Sequence, residues 1–143
     1  MTITEAQKAE VRATMQDYVT AYKNKDIQGL SAVFSPGICG FGSGPDEVIR
    51  NHDDFIRQIS RDMSQALINA VEFSGTEIFG DGRVAWLMTK TAITFTPPGQ
   101  KTSTMHGRST MVMRNTGNRW KIEQIHFSMP FGGQSTGQSF PGA

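Results

Sequence analysis

The chain has 143 residues, the length of one ordinary domain, and its 14 Lys and Arg against 13 Asp and Glu leave a formal net charge of +1 without a basic block that could follow a phosphate backbone. Nucleic acid is therefore not expected as a partner. No apolar run reaches the ~18 residues of a membrane span and the N-terminus carries no apolar signal core, so we expect a soluble cytoplasmic protein with no membrane partner. The single cysteine, Cys39, excludes an internal disulfide.

The first helix is predicted from residue 5 to residue 23. Its apolar residues recur at intervals of three and four, which places them on one helical face. Thr4 followed by Gln7 suits a capping box at the start of this helix. The residues on the apolar face are Val11, Met15, Tyr18, Val19 and Tyr22.

Two further helices are predicted before the first long strand. Asp26 can cap a short second helix, which Pro36 ends. The stretch PGICGFGSGP, residues 36–45, holds four glycines and two prolines and predicts a turn-rich connection. Asn51 or Asp53 then opens a third helix. Its apolar stripe is formed by Phe55, Ile56, Ile59 and Met63.

Four long strands are predicted in the second half of the chain. They cover residues 69–79, 83–95, 101–114 and 119–129. Their separators, GDG, TPPGQ and NTGN, are short and rich in turn formers, so successive strands should pair antiparallel. Strands of this length favour a strongly curved sheet. Helices followed by an antiparallel meander predict an α+β fold, with the helices packed on one face of the sheet.

The end of the chain is predicted to be a tail. Residues 131–143, FGGQSTGQSFPGA, are rich in Gly, Ser and Pro and low in hydrophobic side chains. Such a composition favours a flexible segment, or one that a partner subunit borrows. We therefore place the folded domain at residues 1–130.

Three stretches carry a resemblance to a known family: DYVTAYKNKDIQGLSAVFSP, GFGSGPDEVIRNHDDFIRQISRD and GRSTMVMRNTGNRWKIEQIHFSMP, with its Trp-containing last strand and closing His-x-Ser. Over residues 5–130 the chain resembles the SnoaL-like branch of the nuclear transport factor 2-like superfamily, closest to the association domain of calcium/calmodulin-dependent protein kinase II. The resemblance implies a cystatin-like fold, in which a curved sheet and helices enclose a cone-shaped pocket and a dimer forms through the sheet. The superfamily includes isomerases, cyclases, hydrolases, oligomerisation modules and bare binding pockets, so the fold selects no activity.

The predicted strands themselves also favour a dimer. In the strand at residues 83–95, Trp86 and Met88 alternate with Ala85 and Leu87, so both faces of the sheet are apolar. A monomer that left either face in water would expose more apolar area than soluble monomers usually do. We therefore expect a homodimer formed through the sheet.

The resemblance also supplies candidate ligand-binding residues. Alignment on Trp120 and the closing His-x-Ser puts Phe127, Thr110 and Met88 where the kinase association domain has pocket arginines. The pocket should then be more apolar than that of the kinase domain, and Arg108 is a candidate either for one remaining cation or for a salt bridge at the rim. For the aromatic residues the alternative is ordinary core packing. The predicted lining of a pocket for an unidentified small molecule is Tyr18, Tyr22, Trp86, Met88, His106, Arg108, Thr110 and Phe127.

Proton-transfer chemistry has one best candidate, His106. It has the same strand parity as Arg108, although a core or rim histidine is the alternative. A buried carboxylate with a raised pKa is a second route to such chemistry. Ketosteroid isomerase, an enzyme on the scaffold that the resemblance implies, has an aspartate base where this chain has Gly42, so that base is missing. His126 and Ser128 share a face opposite the predicted pocket and no acid lies on that face, so they are not predicted to be a nucleophile and its base.

No metal or cofactor is predicted. The histidines at 52, 106 and 126 show no H-x-H or H-x-x-x-H spacing, and GICGFGSG lacks the order of a nucleophile elbow or of a dinucleotide-binding loop. Asp46, Glu47, Asp53 and Asp54 are interpreted as caps and dipole partners. Three hypotheses remain open: a small-molecule-binding protein, an isomerase, cyclase or hydrolase, and an oligomerisation module.

Overall fold

Three helices and six strands make up the computed structural model, which describes residues 2–143. In chain order the elements are α1 (Glu5–Lys23), α2 (Ile27–Val33), β1 (Phe34–Phe41), β2 (Val48–Ile49), α3 (His52–Gln65), β3 (Leu67–Asp81), β4 (Val84–Thr96), β5 (Ser103–Asn115) and β6 (Trp120–Ser128).

Side-chain caps fix where each helix begins. In the predicted capping box, the Gln7 backbone N–H donates to Thr4 Oγ1 at 3.1 Å and the Thr4 N–H donates to Gln7 Oε1 at 3.0 Å. The Asp26 side chain accepts the backbone N–H of Gly29 at 2.9 Å at the start of α2, and Asn51 accepts the N–H of Asp54 at 2.9 Å at the start of α3. The predicted helix starts are therefore confirmed, with Asn51 as the cap of α3.

The strands form one sheet in the order β2-β1-β6-β5-β4-β3. The four predicted strands are present and their neighbours pair antiparallel. The helices pack on one face, so the α+β prediction is confirmed. The sheet is nevertheless mixed, because β1 pairs parallel to β6.

The glycine-rich segment contains β1, which was not predicted; the short β2 was not predicted either. PGICGFGSGP had been interpreted as a connection, but it supplies most of β1, and α2 ends at Val33 rather than at Pro36. Ile38 is fully buried, and Gly40 has φ 152° with its backbone against the carbonyl of Ile125. The glycine content therefore serves a close approach of two strands, not only a turn.

Helix α1 is joined to the last strand through Trp120. The indole N–H of Trp120 donates to Glu10 at 2.8 Å, and Thr14 Oγ1 donates to the Trp120 carbonyl at 3.0 Å. Around this joint the core lies between the helices and the sheet. Its largest fully buried side chains are Trp120, Phe34, Leu30, Ile38, Met111, Met113, Ile122, Val11 and Val33.

The chain after β6 continues in turns and bends. Phe131 and Phe140, with 65% and 74% of their surface exposed, are held in no core. That residues 131–143 form a flexible tail, separate from the folded domain, stays a prediction. In the region covered by the structure, residues 2–143, none of the helices is both long and apolar enough to cross a membrane.

Candidate functional site

A cavity of about 450 Å³ lies between the helical layer and the inner face of the sheet. The sheet wall of this cavity is apolar. Its two polar side chains, Thr91 and Ser109, bond to each other through their hydroxyls at 2.8 Å. That wall is formed mainly by Phe73, Ile93, Phe95, Met105, Met111, Ile125 and Phe127.

The helical wall carries the polar groups. Tyr22 on α1 donates its hydroxyl hydrogen to Asp62 Oδ2 on α3 at 2.9 Å. Gln58, one turn before Asp62, donates to Asp62 Oδ1 at 3.0 Å and also to Glu47. A tyrosine, an amide and two carboxylates are thus linked along one side of the cavity.

Burial decides the protonation behaviour of this cluster. Burial raises the pKa of Asp62, and the nearby charge of Glu47 raises this pKa further, while the hydrogen bonds from Tyr22 and Gln58 act in the opposite direction. Burial also raises the pKa of both Tyr18 and Tyr22, so their hydroxyls stay protonated. Asp62 is therefore a carboxyl group whose charged form is costly.

Glu47 and Asp62 differ in how their charges are balanced. Arg61 reaches Glu47 at 3.4 Å and donates to both oxygens of Asp46, and the Gly44 backbone N–H holds the other oxygen of Glu47. Asp62 has no ion-pair partner among residues 2–143. The uncompensated charge of the cavity therefore lies at Asp62.

Tyr18 completes the helical wall. Its ring stacks on that of Tyr22, one turn along α1, with centroids 5.7 Å apart, and meets the ring of Phe73 at 6.3 Å. Tyr18 is surrounded by protein, and the surface that it keeps lines the cavity. Within residues 2–143 its hydroxyl has no hydrogen-bond partner, so it is available to a bound molecule.

Three of the eight predicted ligand-binding residues line this cavity: Tyr18, Tyr22 and Phe127. Their binding role stays a prediction. The placement of Trp86, Met88 and Thr110 needs correction, because they line a shallow depression on the opposite face of the sheet.

The register of the sheet explains this correction. Thr110 pairs with His126, whereas Phe127 pairs with Ser109, so Thr110 and Phe127 point to opposite faces. Met88 pairs with Thr110 and therefore lies on the same face of the sheet as Thr110. The prediction had put Met88, Thr110 and Phe127 on one face, which the pairing does not allow.

His106 and Arg108 also lie outside the cavity. Both are exposed, and they share the parity of Thr110; it is the neighbouring Met105 that lines the cavity. Arg108 donates to Ser128 on the outer face at 3.4 Å. The placement of His106 as the proton-transfer group of the pocket was therefore wrong by one strand position. In residues 2–143 no three His, Cys, Asp or Glu side chains are arranged to hold a metal ion.

The sequence analysis missed Asp62, although α3 contains a signal for it. Phe55, Ile59 and Asp62 follow at intervals of four and three, which puts the acid on the same face as the buried Phe55 and Ile59. A carboxylate that continues an apolar stripe has to be hydrogen-bonded or to line a cavity. Asp62 does both, since it accepts hydrogen bonds from Tyr22 and Gln58 and faces the cavity.

Comparison with known proteins agrees with this architecture. The model of the SnoaL-like domain family matches residues 11–132, and no curated protein sequence matches significantly. A nuclear transport factor 2-like superfamily protein from Salmonella enterica superposes with a TM-score of 0.82 at 18% identity, over 96% of this chain and 100% of that one.

Two further solved structures share the fold. A protein of unknown function with a cystatin-like fold from Nostoc punctiforme has a TM-score of 0.72 at 11% identity, over 92% of this chain and 97% of that one. A candidate scytalone dehydratase from Novosphingobium aromaticivorans has a TM-score of 0.78 at 11% identity, over 88% and 85%. At these identities the likeness establishes the fold alone.

Proposed function

Since the chain belongs to the SnoaL-like domain family, we propose that it is a small-molecule-binding protein whose ligand occupies the cavity between the helices and the sheet. The observation that carries the proposal is the cavity itself, about 450 Å³ in volume, with one apolar and one polar wall. Ligand sites in proteins commonly have volumes of roughly 300–1,000 Å³ and combine apolar walls with a few placed polar groups.

The size of the cavity argues against a simple packing defect. A dry, enclosed void costs ~24 cal/mol per Å³, so about 450 Å³ would cost ~11 kcal/mol. This is as large as the whole stability of a typical domain, which is ~5–15 kcal/mol. The cavity is partly open to the surface, so it is not such a void, and solvent or a ligand can fill it.

Filling the cavity tests this proposal. Ile93 faces the cavity and Thr94, its neighbour on β4, does not, so Ile93→Trp and Thr94→Trp are a matched pair. With N-phenyl-1-naphthylamine as a neutral fluorescent probe, Ile93→Trp should weaken binding at least tenfold, and Thr94→Trp should bind as the wild type does. Equal binding by the two variants would sink the proposal. Native mass spectrometry of the purified protein adds a direct search for a bound molecule.

We further propose that two chains associate through the outer face of the sheet. Phe79, Trp86 and Met88 lie together on this face with 44%, 46% and 52% of their surface exposed, an apolar cluster that water solvates poorly. Light scattering after size-exclusion chromatography should give a dimer for the wild type and a monomer for Trp86→Lys. Leu67→Lys removes an equally exposed apolar side chain at the opposite end of β3 from Phe79, away from this cluster, and should stay dimeric.

The same experiment addresses the kinase association-domain branch of the superfamily. A ring of more than two subunits would favour an assembly role of that kind. A monomeric wild type would contradict both forms of association.

Proton transfer is the second candidate function, of the isomerase, cyclase or hydrolase type. The observation that favours it is Asp62, a partly buried carboxyl with a raised pKa that faces the cavity and is oriented by Tyr22. In D₂O, exchange of the α-protons of 2-tetralone, followed by NMR, should be faster with the wild type than with Asp62→Asn. Equal exchange rates would remove Asp62 as the proton carrier.

A further inference from the structure

Around the bond between Tyr22 and Asp62, the hydrogen-bonding capacity that is left is that of an acceptor. The Tyr22 hydroxyl hydrogen is used on Asp62, which leaves the Tyr22 oxygen able to accept. Both N–H groups of the Gln58 amide are directed at Asp62 and Glu47. Asp62 accepts one bond at each oxygen and can accept more. The Tyr18 hydroxyl is unpartnered, so three oxygen-bearing side chains of the helical wall, Tyr18, Tyr22 and Asp62, line the cavity.

The charged groups around the cavity also favour a hydrogen-bond donor as the ligand. Its ionisable lining groups are Tyr18, Tyr22, Glu47 and Asp62, and no Lys, Arg or His side chain lines it within residues 2–143. Arg61 is occupied with Asp46 and Glu47. The charge of Arg61 lowers the pKa of Asp62, but Arg61 forms no ion pair with Asp62. A partly buried carboxylate without an ion-pair partner is stabilised by any cation that reaches it, and an anion would be repelled.

The aromatic rings supply a second means of holding a positive group. Tyr18 and Tyr22 stack nearly parallel at 21°, and Phe73 continues the stack at a centroid distance of 6.3 Å from Tyr18. Aromatic faces attract ammonium groups, most strongly where water is displaced. The apolar sheet wall opposite can cover the rest of such a molecule.

From these observations we infer that the cavity takes an organic cation, a protonated primary amine on an apolar body, whose ammonium group lies against Asp62, Tyr18 and Tyr22. A primary ammonium has three N–H bonds, one for each of these three side chains, and Asp62 supplies its counter-charge. This inference rests on the proposed binding function and specifies the chemistry of the ligand.

The inference also gives binding a pH dependence. Burial and the charge of Glu47 raise the pKa of Asp62, and a bound ammonium would lower this pKa. The groups that face Asp62 are Tyr18 and Tyr22 from α1, Glu47 from the segment before β2, and Arg61 from α3 itself. Of these, the tyrosines stay protonated, so amine binding should tighten as the pH rises through the pKa of Asp62.

Three naphthalene probes that differ only at the end of the side chain provide the test: 2-(2-naphthyl)ethylamine, 2-(2-naphthyl)ethanol and 2-naphthylacetic acid, which is a carboxylate at neutral pH. Isothermal titration calorimetry at neutral pH should give the amine at least tenfold tighter binding than the alcohol, and the weakest binding for the acid. Equal affinities, or tightest binding of the acid, would overturn the inference and leave the cavity proposal standing. If none of the three binds, the proposed binding function fails and the inference fails with it.

Variants of the full chain locate the effect. Asp62→Asn should bring the amine to the affinity of the alcohol without changing the binding of the alcohol. Asp53→Asn removes an exposed acid from the same helix and should keep the preference. Tyr18→Phe should weaken the amine severalfold and the alcohol less. An amine preference that survives in Asp62→Asn would contradict the assignment to Asp62.

Discussion

Gly40 is the position at which a single methyl group should do most damage to the architecture of the cavity. It lies on β1, where φ is 152°, and a Cβ built there would stand 1.7 Å from the carbonyl oxygen of Ile125 on β6. The obstacle is backbone inside a paired strand, so it cannot rotate away. Phe41 and Gly42, which follow Gly40, line the cavity. Gly40→Ala therefore forces β1 away from β6 at the edge of the site.

The cost of Gly40→Ala can be added from its parts. A non-glycine residue in this region of φ costs ~1–3 kcal/mol. Relief of the overlap separates Gly40 from Ile125 and Phe41 from His126, and each lost hydrogen bond costs ~1 kcal/mol. The sum is roughly 3–5 kcal/mol, a large fraction of the ~5–15 kcal/mol that stabilises a domain.

Urea unfolding followed by circular dichroism measures this loss. Gly75→Ala is the matched control, because Gly75 also has a positive φ, 62°, but nothing lies within 4 Å of a Cβ there. The control should lose only the conformational part, ~1 kcal/mol. If the two variants lost the same free energy of unfolding, the close approach of β1 to β6 would not be a constraint, and the assignment of Gly40 to a packed strand pair would be wrong.

Three further predictions concern the helical wall, the α1 joint and the chain end. Burial raises the pKa of Asp62 above its ordinary value of 3.8, so this carboxyl ionises at a lower pH in the unfolded chain than in the folded protein, and stability falls as the pH rises from 3.8 to the folded-state pKa. The melting temperature of Asp62→Asn should therefore rise relative to that of the wild type across this pH window. Melting temperatures of the two proteins that change in parallel with pH would contradict this. Thr14→Val removes the buried bond to the Trp120 carbonyl and should cost ~1 kcal/mol in urea unfolding, whereas Thr20→Val on the exposed side of α1 should stay within ~0.5 kcal/mol. Deletion of residues 131–143 should change the melting temperature by less than ~3 °C, because these residues are exposed and add no strand; a larger loss would place the tail in the fold or in a partner contact.

Elements with a local signal could be predicted from the sequence. Helix α1 has the predicted bounds because its capping box and apolar spacing are both local patterns. The strands β3 to β6 lie within a few residues of the predicted ranges, since short turn sequences separate them. Strand β1 had no such signal. Its partner is β6, distant in the sequence, and its glycines are explained only by the approach to Ile125.

The same difference between local and non-local signals applies to the residues of the candidate site. Tyr18 and Tyr22 were assigned to the cavity correctly because the resemblance implied that helices close the pocket and the spacing put both residues on the apolar face of α1. The parity of β5 relative to β6 could not be read from either strand, because it depends on the pairing of Thr110 with His126 and on a register shift between Val112 and Met113. A shift of one position moves a side chain through the sheet, so His106 was assigned to the cavity in place of Met105.

The helical wall and the sheet wall of the cavity also differ in what they can recognise. The hydroxyls of Thr91 and Ser109 satisfy each other, so the sheet wall offers a ligand shape and apolar contact but little polar recognition. The unsatisfied polar capacity belongs to α1 and α3, whose side chains meet at the bond between Tyr22 and Asp62. Substitutions on α1 and α3 should therefore change which polar group is bound, and substitutions on the sheet should change which apolar body fits. Because the two walls belong to separate elements, changes on them should affect binding nearly additively unless the side chains touch.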